Sequence, residues 1–65
     1  MNNLFIAPNA IVEDDVAIGK ETKIWYFSHV CTKARLGKNT NVGDHTFIGK
    51  GVLIGDECKI GNNTS

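Results

Sequence analysis

The sequence predicts a single all-β domain built as a parallel β-helix, and a six-residue repeat carries this prediction. An isoleucine, valine or leucine occupies every sixth position from Ile6 to Ile60, without a break over ten hexads. A small residue stands four positions after each of these aliphatic residues: Ala10, Val16, Thr22, Ser28, Ala34, Thr40, Thr46, Val52, Cys58 and Thr64.

Each hexad has the length of a short strand followed by a turn. The large aliphatic side chain then points inward, and the small residue fits inside the corner, where a bulky side chain would collide with the neighbouring coils. Three sides close a triangular coil of about 18 residues, so residues 18 apart stack at about 4.8 Å. Residues 6–65 are therefore expected to form about three triangular coils, with residues 1–5 as an N-terminal cap or partial rung.

The fourth position of each hexad is expected to turn the corner with a positive φ angle. Residues that tolerate a left-handed backbone occupy it in six hexads. Phe27 is the most unusual occupant, because a bulky residue with positive φ is strained. The tolerant residues are Asn9, Asp15, Asn39, His45, Gly51 and Asn63, and the exceptions are Glu21, Phe27, Lys33 and Glu57.

Composition excludes several classes of function. Seven basic and seven acidic residues are interspersed, so nucleic acid and anionic membrane are not expected partners. The first ten residues have no basic n-region and no apolar run long enough for a signal peptide or a membrane span, so neither is expected there. Cys31 and Cys58 fall at different hexad positions, one pointing outward and one inward, so we expect no disulfide between them. Because two thiols without metal-binding spacing are typical of a reducing compartment, we also expect no bound metal and a cytoplasmic setting. Because the chain stops at Ser65 within a coil, we expect it to be the N-terminal part of a longer enzyme or a truncated chain.

Two features interrupt the uniform repeat. Gly19, Gly37 and Gly55 stack on one face, which indicates either a close-packed neighbour, such as a subunit or ligand, or only the usual small residue at this position. The hexad Ile-Trp-Tyr-Phe-Ser-His at residues 24–29 gathers aromatic and polar side chains at one corner, and an isolated chain is expected to expose its tryptophan. This hexad and the residues that stack above it form the candidate site. Its residues are Trp25, Tyr26, Phe27, His29, Asp44, His45, Phe47 and Asn62, with Asn63 and Ser65 beside them.

Aromatic clusters with polar tips on an outer surface are typical of interfaces and binding sites. Two interpretations of the candidate set stay open. Its residues either pack against neighbouring subunits of a trimer or contact a substrate directly, and both can hold at once.

The repeat resembles the left-handed β-helix of hexapeptide-repeat acyltransferases over residues 6–65. The left hand is implied by this resemblance, since general crossover rules favour the right hand. Within that superfamily the segments TKIWYFSHV (22–30), ARLG (34–37) and CKIGNNTS (58–65) resemble the N-terminal coils of nucleotide-sugar 3-N-acetyltransferases, including the type that acts on UDP-2-acetamido-3-amino-2,3-dideoxyglucuronate.

The resemblance implies a homotrimeric enzyme with active sites between subunits. It implies acetyl-CoA as co-substrate, bound on coils beyond Ser65, and a nucleotide-linked amino sugar as acceptor in cell-surface polysaccharide (lipopolysaccharide) biosynthesis. The catalytic residue stays unknown, because the family places it on later coils; His29 and His45 only have a suitable pKa range.

Two other functions compete with this one. A trimeric zinc carbonic anhydrase of the same fold would need about three histidines, and the chain has two. A non-catalytic assembly module or truncated scaffold would need no active site at all.

Overall fold

The computed structural model describes residues 4–63, and these residues form the predicted left-handed parallel β-helix. None of them forms a helix long and apolar enough to cross a membrane. Ten strands of two residues each follow one another at six-residue intervals. They are β1 (Phe5–Ile6), β2 (Ile11–Val12), β3 (Ala17–Ile18), β4 (Lys23–Ile24), β5 (His29–Val30), β6 (Arg35–Leu36), β7 (Asn41–Val42), β8 (Phe47–Ile48), β9 (Leu53–Ile54) and β10 (Lys59–Ile60).

The strands form three parallel sheets, one for each side of the triangular coil. The first sheet has the order β1-β4-β7-β10, the second β2-β5-β8 and the third β3-β6-β9. Paired residues are 18 positions apart, as in the pairs of Phe5 with Lys23 and of His29 with Phe47. The predicted coil of 18 residues is therefore confirmed, and it fixes which side chains are neighbours on each face. Phe5 already lies in the first sheet, whereas residues 1–3 of the expected cap lie outside the described residues.

The core is a column of aliphatic side chains along the axis of the helix. The second residue of each strand points into it, and those of the middle coils are completely covered by the coils on either side. Burial decreases towards the first and last described coils, where one side of the column has fewer neighbours. The buried cluster consists of Ile24, Val30, Ala34, Leu36, Val42 and Ile48.

Buried hydroxyl groups at the corners join each coil to the next. Thr22 Oγ1 donates to the carbonyl of Gly37 at 2.8 Å, and Ser28 Oγ donates to that of Gly43 at 2.6 Å. A buried carbonyl without a partner costs about 1–3 kcal/mol, so these bonds explain why the small corner residue so often carries a hydroxyl. The small size of this residue is predictable from the repeat, whereas its polar role is a finding of the structure. Thr40 and Thr46 repeat the contact with Gly55 and Gly61.

The predicted positive φ angles are confirmed at nine of the ten corner positions, with Asn9 as the exception. Gly51 has a φ of 72°, and eight non-glycine residues have φ between 53° and 66°. The left-handed backbone is thus a property of the corner itself, adopted even by Phe27 and by charged residues. The eight residues are Asp15, Glu21, Phe27, Lys33, Asn39, His45, Glu57 and Asn63.

The glycine column accommodates the next coil of the same chain. A Cβ atom added to Gly19 would lie 2.5 Å from the backbone nitrogen of Lys38, and one added to Gly37 would lie 2.6 Å from that of Asp56. Cβ atoms essentially never approach backbone this closely, so a larger residue would force the coils apart. Packing within the chain therefore explains the glycine at positions 19 and 37, whereas a Cβ atom added to Gly55 would meet only Cys58 Sγ, at 4.0 Å.

Candidate functional site

An exposed pair of stacked rings forms the centre of the predicted site. The rings of Phe27 and His45 lie 5.2 Å apart with an interplanar angle of 16°, and Phe27 is 59% exposed. Both residues turn the same corner in successive coils, with φ angles of 59° and 53°. Together with Tyr26, which is also exposed, they form a surface that we call the aromatic corner. The predicted stacking of residues 18 apart is confirmed here.

Asp44 and Asn62 contact the backbone of the coil next to their own. The Asp44 carboxylate accepts a hydrogen bond from the Tyr26 N–H at 3.3 Å, and Asn62 Oδ1 accepts one from the Asp44 N–H at 2.8 Å. Asn9 Oδ1 accepts from the Phe27 N–H in the same way, at 3.4 Å. These hydrogen bonds hold the turns of the aromatic corner in place. Asp44 and Asn62 were predicted as site residues, and this structural role was not predicted for them.

Trp25 corrects an expectation, because its own chain leaves it only partly exposed. Its ring lies 5.1 Å from that of Phe5 at an angle of 48°, and its Nε1–H donates to Asn41 Oδ1 at 2.9 Å. Both partners lie on the first sheet, so the indole packs along that sheet and away from the stacked rings. The prediction that an isolated chain exposes this residue is therefore wrong, because Phe5 is a packing partner within the chain.

His29 and Phe47 lie on the second sheet rather than at the corner itself. They pair directly in register across β5 and β8, and the two rings meet edge to face with centroids 5.6 Å apart. Ile11 precedes them on β2, and it is 56% exposed while Phe47 is 48% exposed. The predicted set thus divides into a corner and a sheet face; Ser65 lies outside the described residues.

Glu13 is a functional candidate that the sequence analysis missed. One of its carboxylate oxygens lies 2.7 Å from His29 Nε2, and the other accepts a hydrogen bond from the Thr32 N–H at 2.8 Å. The hydrogen bond with His29, and then that from Thr32, lowers the pKa of Glu13 below its ordinary value. The carboxylate is therefore held in its ionised form and orients the imidazole.

Cys31 completes a group of three side chains with metal-binding atoms, which we call the donor cluster: Glu13, His29 and Cys31. The carboxylate oxygen, the imidazole nitrogen and the sulfur all lie within 4.8 Å of one another. Burial raises the pKa of the Cys31 thiol, and the charge of Glu13 adds to this effect. Both Cys31 and Cys58 are free thiols.

The donor cluster had a signal in the sequence. Glu13 and Cys31 are 18 positions apart and therefore stack, while His29 lies two residues before Cys31 and on the same face. The two histidines differ in hexad position, and so do the two cysteines, so the cluster becomes visible only when unlike donors are compared across the 18-residue coil.

Apolar side chains are exposed on two different faces of the helix. Ile11 and Phe47 belong to the second sheet, whereas Leu53, which is 77% exposed, belongs to the third. Such residues on the outside of a small domain are typical of surfaces that contact another protein.

The chain matches the family described as the hexapeptide repeat of succinyl-transferase over residues 33–65. This range covers half of the sequence and includes the corner residue His45 together with β6 to β10.

Three similar proteins are an amino-sugar N-acetyltransferase, an uncharacterized transferase and a bifunctional protein. The chain is 47% identical over 38 residues to dTDP-3-amino-3,6-dideoxy-alpha-D-galactopyranose 3-N-acetyltransferase of Aneurinibacillus thermoaerophilus, covering 58% of this chain and 19% of that protein. It is 32% identical over 68 residues to the uncharacterized transferase YtoA of Bacillus subtilis, covering 94% of this chain and 40% of that protein. The bifunctional protein GlmU of Acaryochloris marina is 32% identical over 57 residues, which cover 88% of this chain and 12% of GlmU. The chain therefore spans well under half the length of these relatives.

Proposed function

From the premise that this chain belongs to the hexapeptide-repeat family of transferases, we propose that it forms the N-terminal coils of an acetyltransferase. The acceptor is the amino group of a nucleotide-linked amino sugar, and the acetyl donor is acetyl-CoA. The similarity to an amino-sugar N-acetyltransferase supports this acceptor, although it extends over 38 residues only. Such a sugar is used in the biosynthesis of a cell-surface polysaccharide. We place this reaction in the cytoplasm, since the two free thiols suit a reducing compartment.

The stacked rings of the aromatic corner carry the proposal for substrate binding. Exposed aromatic faces bind nucleobases by stacking, which contributes about 1–3 kcal/mol per base. Phe27 and His45 are exposed rings at a corner whose backbone is fixed by hydrogen bonds, which the Phe27 N–H donates to Asn9 Oδ1 and the His45 N–H donates to the Tyr26 carbonyl. We therefore assign the aromatic corner to the base of the nucleotide sugar.

The chemistry requires a neutral amine close to the thioester carbonyl of acetyl-CoA. A carbon–nitrogen bond forms, the carbon–sulfur bond breaks, and the thiolate that leaves takes up the proton lost by the amine. Positioning of the two reactants supplies much of the rate acceleration in such a transfer. The part proposed for residues 4–63 is to hold the nucleotide sugar, and the acetyl-CoA site is proposed to lie outside them.

A homotrimer is the proposed assembly. A cyclic trimer uses two different surfaces of each subunit, because the contact joins unlike patches head to tail. The exposed apolar residues on the second and third sheets, Phe47 and Leu53 among them, supply two such surfaces. Burying them between subunits removes apolar area from water at about 25 cal/mol per Å².

Calorimetric titration with UDP-N-acetylglucosamine, with a dTDP-linked amino sugar and, separately, with acetyl-CoA tests the proposal. We expect a nucleotide sugar to bind and acetyl-CoA not to bind to these coils alone. The variant Phe27→Asn should lose the binding, whereas Lys33→Asn, at another corner with positive φ, should retain it. Equal affinity of both variants and the wild type would refute the assignment of the aromatic corner.

A non-catalytic assembly module is the second candidate, and the exposed apolar residues on two faces favour it. It predicts a trimer by light scattering together with no heat of binding for any of these ligands.

A further inference from the structure

We propose that the donor cluster of Glu13, His29 and Cys31 is a binding site for one zinc ion, which joins the first coil of the helix to the second. This site is separate from the aromatic corner and does not depend on the acetyltransferase proposal. It uses one carboxylate, one imidazole and one thiolate of the same chain. Their atoms already lie within 4.8 Å of one another.

The distances suit an ion of this size after small side-chain rotations. Zinc lies about 2.0–2.2 Å from nitrogen and oxygen ligands and about 2.3 Å from sulfur, so tetrahedral ligands are about 3.3–3.7 Å apart. His29 Nε2 and Glu13 Oε2 are 2.7 Å apart as a hydrogen-bonded pair and must separate slightly when the ion replaces the shared proton. The sulfur must approach by about 1 Å at most. Both adjustments lie within ordinary side-chain rotation.

The backbone holds all three residues in a rigid parallel register. Val12 pairs with Val30 between β2 and β5, the Glu13 N–H donates to Val30 O at 2.9 Å, and the Cys31 N–H donates to Ile48 O at 2.9 Å. The donors are therefore placed by the ladder of the helix rather than by a loop. Preorganisation of this kind reduces the entropy lost when an ion binds.

Neighbouring groups orient two of the three ligands. The Thr32 N–H binds the Glu13 oxygen that faces away from His29, and the ring of Phe47 packs edge to face against the imidazole. Hydrogen bonds and packing of this kind around the ligands are what hold metal-binding side chains in place in known sites.

The space next to Cys31 is open on the side of the following coil. Gly49 stands 18 positions after Cys31, and a Cβ atom added to it would meet only Val52 at 3.7 Å and Phe47 at 4.0 Å. About 36% of the His29 side chain and 38% of the Glu13 side chain are exposed. An ion from solvent can therefore reach the donors.

The ligand types select zinc over the harder ions. Thiolate and imidazole suit zinc, whereas magnesium and calcium prefer oxygen ligands. Three protein ligands leave one coordination position to water, as in zinc sites that keep an open position. The thiol releases its proton to solvent as the Zn–S bond forms.

Titration of the reduced protein with cobalt(II), a spectroscopic substitute for zinc, tests the site. We expect saturation at one equivalent with a thiolate-to-cobalt charge-transfer band and the visible bands of tetrahedral cobalt, and displacement of cobalt by zinc. Cys31→Ser should abolish the charge-transfer band, and Glu13→Gln and His29→Gln should weaken binding by more than about tenfold. The matched controls Cys58→Ser and His45→Gln should bind like the wild type.

A second measurement uses the unmodified protein, so that it does not depend on the folding of a variant. Zinc should protect Cys31 and not Cys58 from alkylation by iodoacetamide, as measured by mass spectrometry of tryptic peptides. A charge-transfer band that survives Cys31→Ser, equal alkylation of Cys31 with and without zinc, or an adventitious ion only, bound without saturation, would overturn the proposal. Nucleotide-sugar binding is unaffected by each of these outcomes.

Discussion

The aromatic corner precedes β5, whereas the donor cluster includes His29 of that strand and Cys31 after it, and the two regions differ in almost every physical respect. Phe27 and His45 at the corner offer flat, exposed rings, whereas Glu13, His29 and Cys31 bring charged and polarisable atoms together at partly covered positions. The first surface suits a planar organic ligand, and the second suits a small cation. The difference shows that a uniform repeat can carry two kinds of chemistry on neighbouring surfaces, because alternate residues and corners point in different directions.

Disrupting the close packing between coils should have the largest effect on stability, and both sites depend on this packing. Gly37→Ala places a methyl group against the backbone of Gly55 and Asp56, which cannot move away without separating the coils. We expect a loss of about 3 kcal/mol or more in the free energy of unfolding, measured by urea denaturation followed by circular dichroism without metal. Gly49→Ala, at a position with open space, should change it by less than about 0.5 kcal/mol. Equal urea midpoints for the two variants would show that the coils are not packed as described.

The buried hydroxyl ladder gives the next largest effect. Thr40→Val removes the donor to the Gly55 carbonyl and should lower the free energy of unfolding by about 2 kcal/mol. Thr40→Ser keeps the hydroxyl and should lose less. The affinities of folded Thr40→Val for nucleotide sugar and for zinc should equal those of the wild type, because the ladder is remote from both surfaces. A valine variant as stable as the serine variant would refute the ladder.

A smaller effect depends on pH and concerns the donor cluster alone. The pKa of Glu13 is lowered in the folded state from its ordinary value of 4.5, so its carboxylate stabilises the fold above that pH. This contribution is lost as the pH falls through the folded-state pKa. The difference in urea midpoint between the wild type and Glu13→Gln should therefore shrink below about pH 4.5. The same difference measured in a His29→Gln background should be much less pH-dependent; an unchanged pH profile would contradict the role of His29.

The smallest effect on stability belongs to the aromatic corner. Phe27→Asn removes a ring pair worth about 0.5–1.5 kcal/mol, but asparagine is a better occupant of the left-handed backbone. We expect the free energy of unfolding to change by less than about 0.5 kcal/mol, by the same urea assay. A large loss would mean that the stacked rings hold the fold together and are not reserved for a ligand.

The repeat made the fold predictable from the sequence to the level of individual strand positions. Periodic aliphatic residues specify the inward direction, and the 18-residue coil follows from three hexads, so the stacking of Phe27 with His45 is predictable from the sequence. The corner φ angles were also predictable, including that of Phe27, since the geometry of the turn overrides residue preference.

Side-chain directions were not predictable in the same way. The indole of Trp25 turns towards Phe5 and Asn41, and the imidazole of His29 reaches Glu13 in the neighbouring coil. Rotamers at outward positions depend on partners 16 to 20 residues away, which a pattern of single positions does not reveal. Candidate residues for a site were therefore found by their position, and their grouping into a corner and a donor cluster required the structure.

The most direct test of this division is a crossed binding measurement. Phe27→Asn and Cys31→Ser are each titrated by calorimetry with nucleotide sugar and with zinc, under reducing conditions and with folding verified by circular dichroism. We predict that Phe27→Asn loses nucleotide-sugar binding and keeps zinc, while Cys31→Ser loses zinc and keeps nucleotide-sugar binding. Loss of both ligands in either folded variant would contradict the account, because it would mean that the two regions form a single site.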